Sequence, residues 1–293
     1  MLKINDEISS TLLIPLYYKA KESKRAKENK SAILIDPKAL MLISKIEGKY
    51  EIYEKDRFSS IGCLFRAKYF DDKVLEFCNN FNDVVVINAA CGLDSRYERL
   101  KDELKDKSVV FYNADLPEVI DIRKQFFSDD EKSFTIVGDV FDSTWIENIK
   151  NKHKNANFIV ILEGLLMYFE KNEVKQIIKN FELLENAYIY ADLVGTKIAS
   201  KKVKHKTMDK LKIDFKSGIN GIDDFVALLS EVVKVKPLDE AVYMKKHSFR
   251  YGLAGAFFGL FPQSFLRQFS SLVGIKLEKK LKQHQLNPQT YEI

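Results

Sequence analysis

The chain has 293 residues, of which 46% are hydrophobic and 30% charged, with a formal net charge of +5 at pH 7. This length suits one large domain or two small ones with a sizeable core, and the composition excludes a disordered or fibrous chain. Its lysines are dispersed rather than blocked, which argues against a nucleic-acid partner.

In chain order, residues 1–83 read as mostly helical. In FDDKVLEFCNNF, the residues Phe70, Val74, Leu75, Phe77, Cys78 and Phe81 share one helical face. The texture then changes to short apolar runs alternating with helical stretches. VVVIN at 84–88 is a first strand, followed by a helix near 95–104. SVVFYNA at 108–114 is a second strand, followed by PEVIDIRKQFF with Pro117 in a favourable first turn. FTIVGD at 134–139, NFIVILE at 157–163 and AYIYADLV at 187–194 complete five strands. Between the last two, EKNEVKQIIKNFELLE at 170–185 is an amphipathic helix.

These strands are apolar throughout, as when both faces of a sheet are covered. Strand–helix alternation then implies right-handed βαβ units and an α/β, doubly wound, Rossmann-like sheet over 84–195. Beyond it, 196–216 reads as a helical excursion whose KKVKHKTMDKLK run (200–212) is a solvated helix face. GINGIDDFVALLS is a turn plus helix, EVVKVKPLDEAVYM supplies late strands, and 249–285 reads as helical.

Cys63, Cys78 and Cys91 show no CxxC spacing, which argues against a disulfide framework or a zinc site and fits a reducing cytoplasm. The opening MLKINDEISS lacks the apolar core of a signal peptide. The longest apolar stretch, YGLAGAFFGLF at 251–261, is too short to span a bilayer. It reads as core packing, with a pocket cover or a membrane-surface element as alternatives. A cytoplasmic monomer or homodimer without stable membrane insertion is expected.

In a doubly wound sheet, ligands bind at the carboxyl ends of the strands. Those ends here carry Ala90-Cys91-Gly92, then Asp115, then Asp139-Val140, then Glu163. Small loop residues let backbone N–H groups approach a ligand. Asp115, about 20 residues beyond the loop, suits the two hydroxyls of a ribose. Asp139 suits an adenine amino group, with Val140 as adjacent donor, and Glu163 suits an ammonium. A pyrophosphate needs the full GxGxxG turn, which this loop lacks, so the pattern speaks against NAD and an oxidoreductase. S-adenosylmethionine, a nucleoside without phosphate, has a looser requirement.

The segments TLLIPLYYKAKESKR (11–25), FRAKYFD (65–71), INAACGLDSRYERL (87–100), FYNADLPEVIDIRKQ (111–125), ILEGLLMYFEKNEV (161–174) and FKSGI (215–219) resemble the leucine carboxyl methyltransferase family, in its tetracenomycin-type polyketide O-methyltransferase branch. The resemblance implies a class I methyltransferase fold with an N-terminal helical segment (1–83) contributing to cap and cofactor site. It implies a cofactor-binding core (84–195), and cap helices, late strands and C-terminal helices (196–293) packed on the same domain. It implies S-adenosylmethionine as cofactor, with Arg66 on its carboxylate, aided by Lys19. Ala90, Cys91 and Gly92 would pass under the methionine tail. Asp115 with Leu116 would take the ribose, Asp139 and Val140 the adenine, and Glu163 the amino-acid part.

The family loop usually carries a glycine where this chain has Ala90, and its methyl group would crowd the cofactor if the backbone needs positive φ. The expected activity is O-methylation of a small-molecule carboxylate or hydroxyl. The alternatives are a degenerate, non-catalytic binding protein and a protein C-terminal carboxyl methyltransferase. An ionised carboxylate acceptor needs no general base, and a hydroxyl does. His153, His205, His247 and His284 all sit in polar or basic contexts that suit exposure. Tyr168 is the one candidate on the acceptor side, and packing explains it equally well. Tyr17, Tyr18 and the Phe-rich C-terminal part are candidates to line an apolar pocket.

Overall fold

The computed structural model describes residues 2–3, 7–54, 56–201 and 214–279. Its centre is a seven-stranded sheet of β1 (Val84–Ala89), β2 (Val109–Asp115), β3 (Ser133–Val137), β4 (Asn157–Leu162), β5 (Tyr188–Val194), β6 (Val235–Val242) and β7 (Ser270–Leu277). The spatial order is β3-β2-β1-β4-β5-β7-β6. β1 to β5 pair in parallel, and β7 runs antiparallel to both β5 and β6.

Helices α1 (Glu7–Lys27), α2 (Pro37–Ile43) and α3 (Arg57–Asn80) precede the sheet. α4 (Arg96–Leu100), α5 (Pro117–Arg123), α6 (Thr144–Lys152) and α7 (Lys171–Asn180) alternate with its parallel strands. α8 (Thr196–Ala199), α9 (Gly221–Leu229), α10 (Gly252–Phe258) and α11 (Gln263–Leu266) follow.

The apolar strands explain the layering. Successive residues of a strand point to opposite faces. On β1 and β4, Val85, Ile87, Val160 and Leu162 pack against Ile146 of α6, Ile177 and Ile178 of α7, and Phe225 of α9. The alternate residues Val84, Val86, Ile159 and Ile161 pack against Phe70, Val74 and Phe77 of α3. Every residue of β1 is buried, which accounts for the missing polar alternation. α7 starts at a capping box in which Glu170 and Glu173 satisfy each other's backbone N–H. A third cluster joins Leu13 and Leu16 of α1 and Leu42 of α2 to Leu93, so the N-terminal helices pack on the loop that follows β1.

The five expected strands and the helical N-terminal segment are present. The helix expected over 170–185 is α7 continued by a 3-10 turn at Phe181–Leu184, and that near 95–104 shortens to α4. The stretch 231–244 supplies one strand, β6. Pro237 sits at a register irregularity there, on the sheet edge, where a missing N–H is tolerated.

One expectation is corrected. The stretch from 249 is helical only to α11, and Ser270–Leu277 is a strand. Leu272, Val273, Ile275 and Leu277 are all buried, and the open edge of β5 supplies hydrogen-bonding partners along their whole length. Most of the lysine-rich run at 200–212, with His205, and also His284 lie outside the described residues.

Candidate active site at the carboxyl edge of the sheet

The sheet order reverses between β1 and β4, which opens a crevice beyond their carboxyl ends. A cavity of about 660 Å³ occupies it, within the range of roughly 300–1,000 Å³ typical of small-ligand sites. Its floor is the loop after β1 together with Glu163 and Gly164 after β4. Lys19 of α1 and Cys63 and Arg66 of α3 form a wall. Met167, Tyr168, Phe215, Tyr243, Tyr251 and Phe258 close it with apolar and aromatic surface.

The loop is held in a left-handed path, with φ of +51° at Ala90 and +53° at Gly92. For alanine that region costs about 1–2 kcal/mol. At Gly92 a Cβ would stand 2.9 Å from Leu12 Cδ2, so both conformation and space require glycine. Asp115 braces this path. Its Oδ2 accepts the Gly92 N–H at 2.7 Å and its Oδ1 the Leu116 N–H at 2.8 Å. Burial pushes the Asp115 carboxyl up, against the opposing pull of those two N–H groups and Arg123. Each carboxylate oxygen retains a second lone pair for a further donor. Arg123 Nη1 donates to the Gly92 and Asp94 carbonyls at 3.0 and 2.7 Å and braces the loop from the other side.

Beneath the loop lies a buried ion network. Arg66 donates from Nε to Glu163 at 3.1 Å and from Nη1 to Asp192 at 2.8 Å. Neither bond uses Nη2. Gly164, at φ +69°, lets that guanidinium approach: a Cβ there would stand 3.2 Å from Nη2. Gly164 N–H also donates to Asp192 at 2.6 Å. Arg96, fully buried, reaches Asp71 at 2.9 Å, Asp94 at 3.1 Å and Glu163 at 2.6 Å. Arg99 pairs with Asp36, Asp71 and Asp94, and Lys19 reaches Asp94 at 2.5 Å.

Four cations thus face five carboxylates. Burial pushes Glu163 up, but Lys19, Arg66 and Arg96 overcome it and hold the carboxyl below its ordinary value. Burial likewise opposes ionisation of Asp94, yet Arg96, Arg99 and Lys19 hold it well below the usual carboxylate range. At Asp192 burial wins, and its carboxyl is raised despite Arg66 and the Gly164 N–H.

Of the residues singled out in the sequence, Lys19, Arg66, Ala90, Cys91, Gly92, Glu163 and Tyr168 line this one cavity. Asp115, Leu116, Asp139 and Val140 do not. Leu116 and Asp139 are exposed on the β2–β3 side, where Asp139 Oδ1 accepts the Phe141 N–H at 3.0 Å. Val140 is buried and its carbonyl accepts from Asn180 at 2.9 Å.

Asp94, Arg96, Arg99 and Asp192 carry the network without having been assigned a role from sequence. Asp192 was the most legible, as a carboxylate in an otherwise apolar strand. Asp94, Arg96 and Arg99 crowd three charges into a stretch that opens a buried helix.

Among the described residues no histidine lines the cavity. His153 lies against Tyr112 at 2.9 Å, away from it, and His247 is exposed. Burial pushes the Tyr168 phenol up to about 12 and the Cys63 thiol up to about 11, so both stay protonated at neutral pH. Tyr17 and Tyr18 are not cavity residues. They pack against Tyr50 and Tyr53 beneath α1.

The strand order, with β7 antiparallel inside the edge and the ligand-sized cavity at the β1–β4 reversal, defines a class I methyltransferase fold. The family model described as leucine carboxyl methyltransferase matches residues 14–182, and the chain belongs to that family. It is 24% identical over 172 residues to the tetracenomycin polyketide synthesis O-methyltransferase TcmP of Streptomyces glaucescens, covering 59% of this chain and 60% of that protein. It is 25% identical over 181 residues to the S-adenosyl-L-methionine-dependent methyltransferase dpfgK of Gibberella zeae, covering 58% of each chain. The matches thus span less than two thirds of either relative. A crystal structure of a putative methyltransferase from Thermobifida fusca superposes with a TM-score of 0.51 at 13% identity, covering 91% of this chain and 95% of that one, and shares the fold.

Proposed function

We propose that the chain is an S-adenosylmethionine-dependent O-methyltransferase acting on a small apolar acceptor at a carboxylate oxygen. The observation that carries this reading is the single cavity that joins a charged, hydrogen-bonding floor to an apolar roof. The likeness to the O-methyltransferase TcmP and to the S-adenosyl-L-methionine-dependent methyltransferase dpfgK supports methyl transfer.

The residues fit such a cofactor. In this reading Arg66 holds its carboxylate through Nη2, and Lys19 lies beside it. Glu163 and the excess negative charge of the network hold its ammonium and favour the positive sulfonium. Ala90, Cys91 and Gly92 pass beneath the methionine tail. Asp115 and Leu116 would hold the ribose and Asp139 and Val140 the adenine, at the side of the cavity towards β2 and β3. When bound, the cofactor supplies an activated methyl group.

The chain's own contribution is placement and dryness. The apolar roof excludes water and aligns the acceptor oxygen, the chief requirement of an in-line displacement. Among the described residues that line the cavity, the carboxylates Asp94, Glu163 and Asp192 are bonded to cations, Asp56 accepts from the Ser59 N–H and hydroxyl, and Tyr168 and Cys63 stay protonated, which favours an acceptor that needs no base. An acceptor that arrives ionised needs no base. Tyr168 then lines the acceptor side as a neutral donor. We take 1–83 as contributing to cap and cofactor site, 84–195 as the cofactor core, and 196–293 as cap helices, late strands and C-terminal helices packed on the same domain.

The test is calorimetric titration with S-adenosylhomocysteine, beside Asp115→Ala. Binding that weakens about tenfold or more in the variant supports the cofactor reading. Absence of binding in a folded protein overturns it and leaves the non-catalytic alternative, with Ala90→Gly as the variant to try next.

A further inference from the structure

We propose that the segment 245–260 docks the protein reversibly on an anionic lipid surface, with the roof of the cavity facing the bilayer. Leu253, Phe257 and Leu260 recur at i, i+4 and i+7, one face of α10 and the turn that follows it, and are 92%, 61% and 79% exposed. Phe249, just before α10, is 86% exposed. Such exposure is not the overflow of a crowded core. The opposite side of the same segment is well packed: Gly255 is buried, Tyr251 and Phe258 line the cavity, and Phe258, Phe261, Phe265 and Phe269 form a continuous chain of ring contacts. An apolar face of this kind marks an interaction surface.

Charge selects the partner. Residues 241–277 contain no aspartate or glutamate, yet include Lys245, Lys246 and Arg250. Lys245 and Lys246 are exposed, and among the described residues no carboxylate pairs with them or with Arg57, whereas Arg250 is bonded to Glu22 at 2.8 Å and adds little free charge. Arg57 donates to the Arg250 carbonyl and adds to the same rim. Apolar anchors within a basic rim match an anionic bilayer surface. A symmetric contact with a second copy would bring two like-charged rims together. Among the described residues no helix is long and apolar enough to cross a membrane, so the mode is surface docking. The docking stands independently of the methylation reading. If both hold, an amphiphilic acid enters the cavity from the lipid side.

The test is flotation of the full chain with vesicles of phosphatidylcholine alone and of phosphatidylcholine with phosphatidylglycerol, at low and high salt. Wild type is expected to float with the anionic vesicles only, less so at high salt. Leu253→Ser with Phe257→Ser should abolish flotation, and Lys245→Gln or Lys246→Gln should each weaken it about fivefold. Unchanged thermal melts would show that the variants fold. Wild type that fails to float, or variants that float equally well, would overturn the proposal. So would a dimer seen by sedimentation that disappears in the Leu253→Ser, Phe257→Ser variant, which would assign the face to a second copy.

Discussion

The floor and the roof of the cavity are built on opposite principles. In the floor, Arg66, Arg96, Asp94 and Glu163 are each held by two or more partners, and little can move without leaving a buried charge unpaired. In the roof, Tyr168 and Phe215 meet through a tilted ring contact, and Met244 and His247 sit at left-handed φ of +69° and +56° in the approach to α10. On the proposed reading, the contrast teaches how one fold would serve a cofactor and an acceptor. A floor fixed by directional, charge-assisted bonds suits a ligand that never changes. A roof of nondirectional apolar contacts can be re-cut for another acceptor without disturbing the fold.

The largest effect should come from breaking the floor. Arg96→Met takes one buried cation from each of Asp71, Asp94 and Glu163, leaving them to Arg99, Lys19 and Arg66, and should cost about 3–5 kcal/mol of stability, measured by urea unfolding; a loss below about 1 kcal/mol would show the network to be dispensable. Lowering pH attacks the same feature. Asp94 and Glu163 have folded-state pKa values below their ordinary 3.8 and 4.5. Their contribution is therefore complete above those values and is lost as pH falls through the lower folded-state ones. Melting temperature should be steady near neutrality and drop steeply below about pH 4, and Asp94→Asn should flatten that drop.

Next in size is the loop. Gly92→Ala should destabilise by about 1–2 kcal/mol, because its φ is positive and Leu12 leaves no room. Ala90→Gly should do the opposite by less than about 1 kcal/mol, the relief of strain being offset by glycine's entropy. Paired thermal melts check both, and equal signs would mean that the left-handed path is wrong. The smallest effect belongs to the roof. With a carboxylic-acid acceptor, kcat should stay flat from pH 6 to about 9. A unit-slope rise across that window would reveal a base that Tyr168 and Cys63, titrating near 12 and 11, do not provide.

Much of the floor was legible because its signals are local. Five apolar runs announced β1 to β5, and Ala90–Gly92 and Glu163, just after β1 and β4, line the cavity, whereas Asp115 and Asp139, at the ends of the next two runs, do not. What escaped depends on contacts between distant segments. Arg99 meets Asp36 from a helix more than sixty residues away, and no pattern in either segment encodes the pair. β7 was hidden for a related reason: SSLVGIKL follows two helical turns, and its partners lie on β5 and β6. The positive φ at Ala90 was legible only as a question, since alanine says nothing of a backbone that its neighbours impose.

The place of β7 has a consequence for how the chain comes together. Among the described residues it is the last strand in sequence, yet it lies between β5 and β6 and pairs with both. Until 270–277 has emerged from the ribosome, β5 presents an open edge and β6 has no neighbour. Between the completion of β6 and the arrival of β7 the nascent protein therefore carries two unsatisfied templates for strand addition. Phe269 and Ser270, which border the cavity where β7 begins, arrive with that strand. The last described residues of the cavity wall thus arrive in the same late event that completes the sheet.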